Sequence, residues 1–247
     1  MISPSIAKRK NEKFSPPDNF GLSYKTFSLM TVSIAEENYL KEIFTLSRGV
    51  AGKIPNLQIA QNLGLNPPTV TEMLRKLADK GLIDYSRSGG ATLTSDGEVL
   101  ALHVIRKHRL WETFLVNTLG FTWDEVHEVA EQLEHIRSEK LLDQLDKFLG
   151  FPEFDPHGDP IPNSIGILPV NNAIPLSACK KGEFRRFVAV SDHSQAFLQY
   201  LDKHELKIKE TLDILEISGF DGSMSIQLKN SKKVQLSAAV CGNILVV

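Results

Sequence analysis

Little in this chain announces a function by quantity alone. Its 247 residues hold only two cysteines, Cys179 and Cys241, far apart and in no CxxC pair. That usage fits two reduced thiols in a cytoplasmic protein better than a disulfide framework. No apolar run approaches the roughly 20 residues that span a bilayer, and the N-terminus has no secretory apolar core, so no membrane partner is expected. Charge of one sign is also missing: the formal net charge is −2. A nucleic-acid partner is therefore not signalled in bulk and has to be argued from local patches. No internal repeat or low-complexity tract is visible. The length gives room for two or three small domains.

What is present falls into blocks. Residues 1–32 carry Lys8-Arg9-Lys10, Lys13 and Ser15-Pro16-Pro17-Asp18 without any period, as a disordered basic tail would, and Met30 is an alternative start. Residues 33–100 read as a winged helix-turn-helix. A helix runs from Ser33 to Leu46, and a short one over 57–65 is closed by Gly64. A third over 66–81 has an Asn66 cap and early prolines, and strands at 82–85 and 91–94 flank the turn Ser86–Gly90. Residues 101–150 read as helical: a long helix from Asp96 to about Leu119, a second over 123–136 and a third from Ser138 to Phe148. Residues 151–170, rich in Pro and Gly, form a linker or strap. Residues 171–247 alternate apolar and polar in short strands, as a small β-barrel does, with one helix over 195–204. The expected class is α+β: an N-terminal winged helix-turn-helix, an all-α middle domain and a C-terminal SH3-like small barrel.

The third helix carries the first functional signal. A helix start laid in the major groove offers N–H groups to phosphate and small polar side chains to base edges. Asn66, Pro68, Thr69, Thr71 and Glu72 occupy that start, with Pro68 and Thr69 suited to a thymine methyl. Arg75, Lys76 and, on the wing, Arg87 are phosphate contacts in this reading. Winged helices also dock proteins, and a docking adaptor is the plain alternative.

The second signal is on the helix over 123–136, which Thr122 is placed to cap. Val126, Val129, Ala130, Leu133 and Ile136 share one arc at about 100° per residue, a buried stripe. His127, Glu131, Glu134 and His135 share another, and their heads can converge. Imidazole and carboxylate are ligands of divalent transition metals, although such a face is more often simply solvated. In the long helix His108 and Glu112, four residues apart, share a face. A helix ion pair explains them equally well. Two helices presenting His and Glu together make a metal site the stronger reading. The rival classes are a winged-helix regulator of a non-metal ligand and a metallohydrolase.

His108-Arg109-Leu110 with Glu112, then His127, then Glu131, Glu134 and His135 resemble the metal-site pattern of the DtxR/MntR family of metal-dependent repressors. The resemblance extends over Ser33 to Val247 and includes the strap Gly158-Asp159-Pro160-Ile161-Pro162 and a FeoA-type C-terminal domain. It implies a homodimer that binds a palindromic operator in double-stranded DNA when Mn(II), or alternatively Fe(II), is bound, and that controls metal-uptake genes. It implies one site from Asn38, Glu131, Glu134 and His135 and another from His108, Glu112 and His127. The run Asp192-His193-Ser194-Gln195 lies near where longer members add ligands. Asn38 stands where members carry Asp or Met, and Lys41 where manganese-type members carry Glu, which puts a paired manganese centre in doubt. A ligand set of oxygen and imidazole without sulfur suits Mn(II), with Fe(II) next. Trp123, Leu141, Leu145 and Phe148 are expected at the dimer contact.

Overall fold

The computed structural model describes residues 32–48 and 52–247. The basic tail and most of the loop at 49–52 lie outside the described residues. The first helix, α1 (Ile34–Ser47), starts on a reciprocal cap: the Glu36 N–H donates to Ser33 Oγ at 3.3 Å, and the Ser33 N–H to Glu36 Oε2 at 2.7 Å. Two N–H groups that a first turn leaves unbonded are thereby satisfied. α2 (Asn56–Leu63) and α3 (Pro67–Asp79) follow. Asn66 Oδ1 accepts from the Thr69 N–H at 3.0 Å, and Pro67 and Pro68 stand where no helical N–H is required. Strands β1 (Ile83–Ser86) and β2 (Gly90–Leu93) pair antiparallel from Ile83↔Leu93 to Ser86↔Gly90, with Ile54 bridging to Ala91. Leu40, Ile43, Ile59, Val70, Leu74, Leu77 and Leu82 close one apolar core under these elements. This is the expected winged helix-turn-helix.

α4 (Ser95–Leu119) has 25 residues and so is about 37 Å long at the usual rise. It threads three cores. Ala101, Leu102 and Ile105 complete the first; Leu110 packs with Leu142, Leu145 and Ile161; Leu115 packs with Val126 and Ala130. His108 and Glu112 sit at its middle, both buried. One stiff rod therefore joins the winged helix-turn-helix to the helical layer and carries polar ligand-type residues at the joint.

The next helix is shorter than its polar face suggested. α5 spans Val126–Leu133, and residues 123–125 form a turn. Thr122 is not its cap: the Thr122 N–H donates to Glu125 Oε1 at 3.0 Å, and α5 starts with no side-chain cap. The reason is competition for the preceding residues. The Trp123 indole N–H donates to Asp202 at 2.8 Å, and Gln199 donates to Asp124 at 2.9 Å, so this segment is held by the C-terminal domain. Trp123 accordingly packs on the C-terminal core and not beside Leu141 and Phe148. Ile136 lies past the helix end and is 37% exposed. α6 (Glu139–Phe148) follows, capped by Ser138.

The strap at 151–170 is folded. Phe154 bridges Pro160, and Arg109 donates to the Pro160 carbonyl and to Asp159. The remaining strands are β3 (Ile174–Pro175), β4 (Phe184–Val190), β5 (Thr211–Ile217), β6 (Met224–Leu228), β7 (Lys233–Leu236) and β8 (Ile244–Val246). They form an antiparallel sheet in the order β3-β8-β4-β5-β6-β7. Helices α7 (Gln195–Lys203) and α8 (Ala238–Asn243) flank it, over a core that includes Phe187, Leu198, Ile214 and Ile226. The short β3 and α8 were not foreseen; neither is long enough to show a period. The molecule is α+β as expected. No helix among the described residues is long and apolar enough to cross a membrane.

Candidate metal centre

The middle of α4, the end of α5, one face of α1 and the strap converge on a cavity of about 210 Å³. His108 is its hub. His108 Nε2 lies 3.0 Å from Glu112 Oε1 and 3.1 Å from His127 Nδ1, while its Nδ1 lies 2.6 Å from Glu134 Oε2. Ligand-type atoms fall into two groups that share His108: His108–Glu112–His127 and His108–Glu131–Glu134, each with its atoms within 4.8 Å of one another. Glu134 is fully buried although the sequence put it on an outward arc. It is the C-cap of α5, still at helical angles, and Lys41 and His108 cover its carboxylate from the neighbouring helices.

His135 and Asn38 do not join these groups. His135 Nδ1 lies 2.6 Å from Glu37 Oε2, on α1. Asn38 Oδ1 is buried and has no hydrogen-bond partner. A buried acceptor left without a donor is costly, and a cation beside it would remove that cost. Lys41 fills the space between the helices: its ammonium lies 2.5 Å from Glu131 Oε1, 2.8 and 3.0 Å from the Glu134 oxygens, and 3.5 Å from His108 Nδ1.

A third group was not singled out from the sequence: Glu112, Asp155 and His157. His157 and Asp155 come from the strap, and both are buried. Asp155 Oδ1 accepts from the N–H groups of His157 at 2.8 Å and Asp159 at 2.9 Å, which fixes the turn. His193 stands at the rim, its ring 5.0 Å from that of His157, and Asp192 accepts from the Ser194 N–H at 2.8 Å. The available signal was Asp155-Pro156-His157-Gly158-Asp159, acids and an imidazole at alternate positions inside a segment rich in turn residues.

The electrostatics are those of a site prepared for positive charge. Burial opposes charging His108, but the carboxylates of Glu112 and Glu134 outweigh it and raise its pKa to about 9. Burial likewise opposes charging His157, and Glu112 and Asp155 raise it to about 9. Burial, with Glu112 and Asp159 nearby, lifts Asp155 to about 8. Glu112 and Glu134 are held below the carboxylate range: burial works against this, and the imidazoles, with Lys41 for Glu134, prevail. In the metal-free chain the excess positive charge on His108 stabilises the fold below its unfolded pKa, and that stability is lost as pH rises through about 9. Coordination requires neutral imidazole, so His108 and His157 must each give up a proton to serve as ligands. Mn(II) affinity is expected to rise by about tenfold per pH unit for each proton released, between roughly pH 6.5 and pH 9. Titrations at about pH 6.5, 7.5 and 8.5 check this; a flat profile would count against coordination by these rings.

The residues expected to meet DNA are mostly exposed. Asn66, Pro68, Thr69, Glu72, Arg75 and Arg87 are exposed, Arg87 at the turn of the β1–β2 hairpin. Thr71 is half-buried, its hydroxyl donating to the Pro67 carbonyl at 2.9 Å. Lys76 lies 3.2 Å from buried Glu36, which also meets Lys80 at 2.7 Å. Burial opposes ionising Glu36, yet Lys80, the Ser33 N–H and Lys76 bring its pKa down to about 2. α1 thus grips α3 through Glu36 and the helical layer through Glu37 and Lys41.

A winged helix tied by one long helix to a buried cluster of imidazoles and carboxylates defines a class, the metal-responsive DNA-binding regulators. Sequence comparison agrees along the chain. Residues 30–91 match the family model for the iron dependent repressor N-terminal DNA binding domain, 94–163 that for its metal binding and dimerisation domain, and 174–247 that for the FeoA domain. A solved manganese-dependent transcriptional repressor in complex with manganese is similar at 38% identity and a TM-score of 0.79, covering 86% of this chain and 99% of that one. ScaR with bound zinc is similar at 33% identity and a TM-score of 0.71, covering 86% of this chain and 98% of that one. The chain belongs to the DtxR/MntR family of iron- and manganese-dependent transcriptional repressors. Among curated relatives, the iron-dependent repressor IdeR of Mycobacterium tuberculosis is 37% identical over 130 residues, 52% of this chain and 56% of that protein. The diphtheria toxin repressor of Corynebacterium glutamicum is 33% identical over 127 residues, 51% of this chain and 55% of that protein. The match thus spans about half the length of these curated relatives. The family is one of transcriptional repressors, not enzymes, so the metallohydrolase reading falls.

Proposed function

We propose that this chain is a cytoplasmic repressor that binds a palindromic operator as a homodimer when Mn(II) is present, with Fe(II) the alternative, and so controls metal-uptake genes. One observation carries the reading: two His–carboxylate groups share His108 and abut α1, the helix that grips the recognition helix α3. The donor atoms are carboxylate oxygens and imidazole nitrogens, a set suited to Mn(II) or Fe(II). His108, Glu112 and His127 would hold an ion on one side; Glu131, Glu134 and His135, with the orphaned oxygen of Asn38, would hold one on the other. When bound, a divalent ion supplies charge neutralisation and directed bonds between α1 and α4–α5.

The residues of the chain account for the rest. Glu37 and Lys41 meet the cluster from α1, and Glu36 passes any movement of α1 to Lys76 of α3 and to Lys80 at its C-cap. A fixed α1 fixes the angle of α3. Two α3 helices must stand about 34 Å apart to read a palindrome. Asn66, Pro68, Thr69, Thr71 and Glu72 would meet bases, and Arg75, Lys76 and Arg87 phosphates. A second copy is expected on the apolar face formed by Trp111, Phe114, Leu141, Leu145 and Phe148, where Phe148 is 67% exposed.

The test uses duplexes selected from a random pool by the Mn(II)-loaded full chain. Chelation is expected to weaken binding roughly 5- to 150-fold, the usual range of coupling between two sites. Mn(II) or Fe(II), added separately without oxygen, restores it. Equal binding by chelated and loaded protein overturns the reading and favours a regulator of some non-metal ligand.

A further inference from the structure

The least expected occupant of the cluster is Lys41. Its ammonium touches three carboxylate oxygens, one of Glu131 and both of Glu134, at 2.5 to 3.0 Å, and its side chain is only 18% exposed. The Glu134 side chain it meets has no exposure at all. Two carboxylates this close would repel each other without a cation between them. The cation present is covalently attached to α1, so the contact also joins the DNA-binding unit to the end of α5.

We propose that Lys41 is a tethered counter-cation: it holds the Glu131–Glu134 pair in the metal-free chain and must withdraw before a divalent ion takes that pair. This rests on the reading of the cluster as a metal centre. The argument is one of shared space and shared charge. The oxygens that Lys41 contacts belong to the His108–Glu131–Glu134 group, whose ligand atoms all lie within 4.8 Å of one another. An ammonium hydrogen-bonded to those oxygens and an ion bonded to them exclude each other. Uptake at this pair is therefore an exchange. The affinity the chain shows is the intrinsic affinity reduced by the strength of the Lys41 contacts, so Lys41 raises the metal concentration at which the site fills. The exchange has a mechanical side as well. While Lys41 is in place, α1 is held to α5 through a flexible side chain; after exchange that tie would pass to the ion, which the buried Asn38 oxygen would reach from α1.

Two readouts test this on the full chain. The first is a direct Mn(II) isotherm, read from the free-ion paramagnetic resonance signal, for wild type, Lys41→Met and Lys41→Gln. Removing a half-buried, charge-assisted contact is expected to tighten binding about tenfold or more in both variants. The second is thermal unfolding. The chelated variants are expected to melt below chelated wild type, because the carboxylates are left uncompensated, and Mn(II) is expected to raise their melting temperature by more than it raises that of wild type. Tighter binding together with lower metal-free stability supports the proposal. Wild-type affinity in the variants, or weaker binding, overturns it while leaving the metal centre standing. No Mn(II) bound by any of the three proteins overturns the metal centre and this inference with it.

Discussion

His108→Ala is expected to lower Mn(II) affinity by more than about 100-fold while the chain still folds. Loss of a group that merely orients a ligand costs 10–100-fold in metal affinity. His108 is a member of both ligand groups that meet at α4 and α5, so its loss damages each. The folding cost is smaller because its partners keep other contacts. Glu134 keeps the Lys41 ammonium at 2.8 Å, and Glu112 keeps His127 at 3.3 Å and His157 at 3.7 Å. About 1–3 kcal/mol is expected, as for a buried charged group that loses one of several partners. Urea unfolding of the chelated variant measures this cost, and an Mn(II) isotherm measures the rest. Affinity within about threefold of wild type, well under 1 kcal/mol, would place the ion away from His108.

Why His108 and Glu112 were legible in the sequence, and Asp155 and His157 were not, is a matter of periodicity. Residues i and i+4 on a long helix share a face whatever else the chain does, so the α4 pair survives folding unchanged. The caps at Asn66 and the prolines behind it fixed the start of α3 in the same local way. α5 was harder. Its polar arc was read over fourteen residues, but the helix has only eight. Glu134 is the last residue at helical angles, and it is buried because Lys41 of α1 and His108 of α4 close over its carboxylate; His135, one residue further on, reaches Glu37. Asp155 and His157 are placed by a turn and by docking against β4, neither of which leaves a period. Lys41 was visible as a departure from the family pattern. That it would fill the space between Glu131 and Glu134 depends on three elements meeting, which only the tertiary structure determines.

The strap makes a sharp demand on a single backbone position. Gly158 has a φ of +85°, in the left-handed region, and lies between His157 and Asp159. A Cβ there would sit 2.0 Å from the Val188 carbonyl oxygen and 2.5 Å from Ala189 Cα, so β4 itself would have to move. Gly158→Ala is expected to cost on the order of 3 kcal/mol, combining left-handed strain with overpacking against backbone. For a chain of this size that is a fall in melting temperature of roughly 6–12 °C. The strap cannot shift alone. The Val190 N–H donates to the His157 carbonyl at 3.0 Å, and Arg109 holds Asp159 at 3.0 Å. Backing Gly158 away from β4 draws His157 and Asp155 off Glu112 and loosens the C-terminal sheet from α4. His108, Glu112 and His127 lie on helices that the strap does not build, so their group should persist. The variant is expected to melt early and to lose any metal bound through Asp155 and His157, yet to keep the His108-dependent part of its Mn(II) isotherm. Unaltered melting would mean that the strap is not seated on β4 in solution. Loss of all Mn(II) binding in a folded variant would mean that the strap shapes the whole centre and not one side of it.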